Sequence, residues 1–191
     1  MPTPAENAQI HSAELLPAGS ATIATVPAAQ TWDRRVAINS TFAPTSGTLT
    51  MTAIELAAGQ VVSGITFVSG ATAEATGTHL WYALYRADLT FMAQSTNDTG
   101  AGSFAANTAF RKALTAPQTC TYSGLYYIGF NCVATTMPTL VNLLGVANSN
   151  GGVAGMTPIL AATSTASLTT TAPSPAGALT AIAAALYAFV D

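Results

Sequence analysis

Beyond residue 47 the chain alternates short apolar runs with clusters of Gly, Pro, Asn and Asp, the spacing of strands and turns. Residues 48–56 (TLTMTAIEL) and 60–69 (QVVSGITFVS) flank Ala57-Ala58-Gly59, which predicts a hairpin or a tight corner. Residues 78–86 (THLWYALYR) and 90–95 (TFMAQS) flank Ala87-Asp88-Leu89, which predicts a second hairpin. The clearest strand is 125–134 (LYYIGFNCVA), following Ser123-Gly124. Weaker strands are predicted over 111–115, 118–122, 138–146, 157–161 and 184–190. No long segment carries a 3.6-residue period, so no helix over three turns is expected. The expected fold class is all-β: an antiparallel, jelly-roll-like β-sandwich over residues 35–191 behind an extended N-terminal arm over residues 1–34.

The same pattern marks the core. Leu49, Met51, Ile65, Phe67, Trp81, Leu84, Tyr127, Ile128 and Phe130 are the expected interior residues. Residues 80–84 are apolar at consecutive positions, so both faces of that strand need cover. A central strand in a well-covered sheet meets that need, and so does an oligomer interface.

The arm reads differently. Pro2, Pro4, Pro17 and Pro27 punctuate Ala, Ser and Thr without a sustained period. With few large apolar groups, ordering it alone would cost about 1–2 kcal/mol per residue with little burial to offset that. It is therefore expected to order against neighbouring chains, burying Ile10, Leu15, Leu16 and Trp32 while Arg34 and Arg35 meet acidic groups.

Composition narrows the function. Charged residues are 7% of the chain against about 25% in an ordinary soluble domain. Ala (39) and Thr (30) together make up over a third of the 191 residues. Surfaces of this kind are neither greasy nor charged and offer little repulsion between copies, which favours assembly. The longest candidate span, 176–190, is short and alanine-rich, so no membrane helix is expected, and the first residues lack the basic start and apolar run of a secretory signal. The chain is expected to be soluble and unprocessed. Five basic residues, Arg34, Arg35, Arg86, Arg111 and Lys112, form no stripe for nucleic acid.

Reactive chemistry is sparse. Asp98-Thr99-Gly100 spells the aspartic-protease triplet, but it follows a polar loop and lacks a second copy, so it reads as a turn. His11 and His79 stand far apart with no acidic neighbourhood, and no metalloprotease, serine-hydrolase, phosphate-loop or calcium-loop spacing occurs. Cys120 and Cys132 are too few for a disulfide scaffold and read as small apolar fillers. Neither catalytic residues, nor a metal, nor a cofactor is expected.

The stretches IELAAGQVVSGITFVSG, HLWYALYRADLTFMAQSTNDTG, AANTAF and YSGLYYIGFNCVATTMPTL resemble a β-rich domain of virion proteins from tailed phages that infect actinobacteria. The resemblance covers about residues 42–190 and rests on aromatics and turns. It implies a jelly-roll-like domain on the virion exterior, in capsid decoration or tail-associated proteins, and it carries no catalytic residues. Two roles follow. As a capsid decoration protein the chain would oligomerise, with a trimer favoured, on the major capsid protein and stabilise the shell. As a tail-associated module it would join tail proteins and present aromatics to a host glycan, and SGLYYIGF also resembles the closing strands of carbohydrate-binding sandwiches. Trp81, Tyr82, Tyr85, Tyr126 and Tyr127 are the aromatics such a platform would need, but their positions inside strands favour the core.

Overall fold

The structure is a computed structural model describing residues 28–33, 40–100, 104–144 and 157–191. Those residues contain thirteen strands and no helix. The largest sheet has six strands in the order β11 (Thr180–Ala181), β10 (Ala161–Thr163), β3 (Thr50–Leu56), β8 (Gly124–Val133), β5 (His79–Arg86) and β6 (Phe91–Gln94). A four-stranded sheet, β1 (Ala29–Gln30), β13 (Ala188–Val190), β4 (Val61–Val68) and β7 (Ala109–Thr119), packs on one of its faces. The third sheet holds β12 (Ala184–Leu186), β9 (Leu140–Leu144) and β2 (Thr41–Phe42), and its Leu140 and Leu186 join the same core. Neighbouring strands pair antiparallel throughout. The protein is an all-β sandwich.

Alternation along β5 divides the interior. Leu80, Tyr82 and Leu84 point between the two large sheets, where they meet Ile65 and Phe67 of β4 and Ile128 and Phe130 of β8. Trp81, Ala83 and Tyr85 point the other way and pack with Met51, Tyr127, Ala172 and Ala176. All nine residues expected in the core are buried.

The second face is closed by the chain's own C-terminal third. Leu168, Ala172, Ala176 and Leu179 lie on it. Three aromatic tips anchor this cover: the Trp81 indole donates to Thr169 O at 2.7 Å, Tyr85 Oη to Pro173 O at 3.1 Å and Tyr127 Oη to Ile159 O at 2.6 Å. Gln94 adds two bonds, donating to Thr170 O at 3.1 Å and accepting from Ala172 N at 2.6 Å. Intramolecular cover therefore accounts for the two-sided apolarity of residues 80–84, and no oligomer interface is needed there.

One choice left open is settled and three strand expectations change: 157–161 is strand only at Ala161, the start of β10, and 184–190 divides between β12 and β13, which lie in different sheets. The turn at Ala57-Ala58-Gly59 is a corner that carries the chain from the six-stranded to the four-stranded sheet, with Gly59 at φ +81°. Residues 111–115 and 118–122, read as two strands around Pro117, are largely one strand, β7. Proline is tolerated because the ladder to β4 skips from Ala113 to Gln118, so the missing N–H interrupts no bond. The hairpin at Ala87-Asp88-Leu89 forms as expected, with Asp88 Oδ1 accepting from Thr90 N at 3.0 Å.

Candidate assembly surface

Of the residues expected to act in assembly, Ile10, Leu15, Leu16, Arg34 and Arg35 lie outside the described residues. Trp32 is described, and it is held by the body. Residues 28–31, which the sequence reading put in the arm, extend the four-stranded sheet: Ala28 N donates to Val190 O and Thr31 N to Ala188 O, both at 2.9 Å. The hydroxyl of Thr31 gives a further bond to Leu186 O at 2.9 Å. Ala28 thus belongs to the folded body, directly before the edge strand β1, which pairs on one side with β13.

Beside that edge three aromatics meet. Trp32 packs edge-on against Tyr187 with ring centroids 5.0 Å apart, and Tyr187 lies 6.3 Å from Phe189. The Trp32 indole donates to Leu186 O at 3.3 Å, and Tyr187 Oη to Gln30 Oε1 at 3.1 Å. Trp32 and Phe189 keep part of their surface in solvent. Sequence reasoning singled out Trp32 but not its partners. Their signal was the alternation in Tyr187-Ala188-Phe189-Val190, which puts both aromatics on the face opposite buried Ala188 and Val190.

Next to the aromatics, Arg111 grips Asp191. Nε donates to Oδ1 at 2.8 Å and Nη2 to Oδ2 at 2.6 Å, a two-pronged pairing. The guanidinium holds the Asp191 carboxyl below the usual carboxylate range, with a smaller contribution from Ser63. Ser63 Oγ also bonds Asp191 Oδ2 at 3.1 Å, and Gly64 and Asp191 exchange backbone bonds at 3.2 Å in each direction. A Cβ at Gly64 would stand 2.5 Å from Arg111 Nη2, so glycine makes room for the guanidinium. On the other side of β1, Gln30 and Thr31 line a groove of about 280 Å³ with Ile54, Glu55, Leu125 and Leu160. Leu160 is one of the exposed large apolar residues.

Trp81, Tyr82, Tyr85, Tyr126 and Tyr127 are all buried, which removes them as a sugar-stacking platform. Burial also raises the Tyr82 hydroxyl well above the phenol range, with Cys132 and Asp98 adding to the effect. Cys120 and Cys132 are buried free thiols, and burial pushes Cys132 up to about 12, aided by Glu74. Neither thiol is primed as a nucleophile. Asp98 of the protease-like triplet pairs with Lys112, and His79 Nδ1 meets Asn97 Nδ2 at 3.0 Å. No group of three metal-ligating side chains occurs among the described residues, and no helix among them is long and apolar enough to cross a membrane. No protein-family model, curated protein or solved structure matches the chain.

Proposed function

We propose that this chain is a structural virion protein that decorates the exterior of a phage capsid and stabilises the shell as a homo-oligomer, a trimer, on the major capsid protein. The observation that carries this reading is the closure of the six-stranded sheet on both faces by the chain's own residues. A body that completes its own core needs no partner to fold, so the proline-punctuated segment ahead of it is left for contacts with other chains. The charge-poor composition supports close packing of copies, and the jelly-roll-like resemblance supports the virion setting. Burial of the strand aromatics disfavours the tail-associated, glycan-binding role.

The test is add-back to particles that lack the protein. The full chain is expected to bind saturably and to raise the temperature at which the shells rupture. A chain beginning at Ala28 is expected to fold and fail to bind. Truncation at Ala28 spares Ala29 and Gln30, whose pairing with β13 makes them part of the folded sheet. Absence of binding by the full chain would overturn the decoration role. Equal binding by the truncated chain would overturn the role of the arm.

A further inference from the structure

Lys112 is the sole lysine of the sequence, and it occupies a core-facing position. Along β7, Ala109, Arg111 and Ala113 are exposed, whereas Lys112 and Leu114 are buried. A lysine turned into a sandwich needs a partner. Its Nζ lies 2.5 Å from Asp98 Oδ2, with 7% of the lysine side chain and 34% of the aspartate side chain exposed. The main chain of Asp98 is fixed on β5 by a pair of bonds: Asp98 N donates to Leu80 O at 2.9 Å and Leu80 N to Asp98 O at 3.0 Å. Nζ sits 5.9 Å from the centre of the Phe110 ring, and Phe104 packs edge-on against that ring at 5.3 Å.

From this arrangement we infer that Lys112 and Asp98 are a modification site, closing an intramolecular amide between Nζ and Cγ across the two large sheets. One proton passes from the ammonium to the carboxylate. The amine lone pair then attacks Cγ, the Cγ–OH bond breaks, and the departing hydroxyl takes an N–H proton and leaves as water. No oxidant or co-reactant is needed. Reacting groups held in contact gain a large effective concentration, on the order of 10⁵ M or more, over the same pair free in solution. The aromatic side of the site restricts water at the amine, and the exposed edge of Asp98 gives the released water a way out. The bond would tie β7 to the loop after β6. It stands independently of the function proposed above.

Intact mass spectrometry of the purified, denatured full chain tests this directly. The mass is expected to fall about 18 Da below that of the sequence, the loss of one water. Fragmentation should join the peptide containing Lys112 to the one containing Asp98. Lys112→Arg keeps the charge and should restore the full mass. Asp98→Asn should condense with loss of ammonia instead, about 17 Da. A wild-type chain at full mass overturns the inference. So does a water loss that survives Lys112→Arg, which would assign it to a succinimide within Asn97-Asp98-Thr99.

Discussion

Phe130 sits where three rings converge, with Phe67 at 5.4 Å, Tyr82 at 5.8 Å and Phe104 at 6.1 Å. Nothing in a chemical denaturation can replace those contacts once the ring is gone, so Phe130→Ala is expected to cost about 3–5 kcal/mol. Urea unfolding measures it, and a loss below about 1 kcal/mol would contradict the packing described. Such positions were legible because aromatics and β-branched residues between turn signals have few other places to go. Pairings between distant side chains were not. Neither Arg111 nor Asp191 carries any local sign of the other, and the same holds for Trp32 and Tyr187. These contacts exist only because β13 is inserted between β1 and β4.

The C-terminal cover and the last strand make separate predictions at the scale of elements. Trp81→Phe keeps an aromatic ring on the second face but leaves Thr169 O without its donor. It is expected to cost about 1–3 kcal/mol. Hydrogen exchange should rise selectively in the cover over residues 164–179, whereas an unchanged exchange pattern would mean that the indole does not anchor it. For β13 the relevant switch is Asp191. Its carboxyl is depressed in the folded protein, so it stabilises fully above the unfolded carboxylate range and loses that contribution as pH falls through the lower folded value. Asp191→Asn should therefore melt lower than wild type near neutral pH, and the gap should close in acid. A constant gap across the titration would place the effect elsewhere. The longer strands were legible from period and turn residues, but which strands share a sheet was not. The run before Ala57 and the run after Gly59 fit a hairpin and a corner equally well, because the choice depends on the second sheet's packing and not on the turn. The shortest elements, β1, β2 and β11, left no trace in the pattern, since two residues cannot display an alternation.

At the scale of the molecule, cover by residues 157–179 reassigns what low charge and two-sided strands mean. The apolar faces serve this chain's own core, which leaves the proposed assembly role to the surface around β1 and to the segment before it. A chain starting at Ala28 should accordingly keep a cooperative thermal transition close to that of the full chain. Loss of that transition would make residues 1–27 part of the fold itself. The fold class was readable from the sequence because burial of a period-two pattern has few solutions. The virion setting rests on resemblance and composition, so the particle itself is the place to examine it. The most direct measurement is a cryo-EM map of the intact virion. The account predicts density for the sandwich at repeated, symmetry-related positions on the outer shell, with the edge carrying β1 and Trp32 turned toward neighbouring subunits. Density confined to the tail, or no density for this chain on the particle, would contradict it.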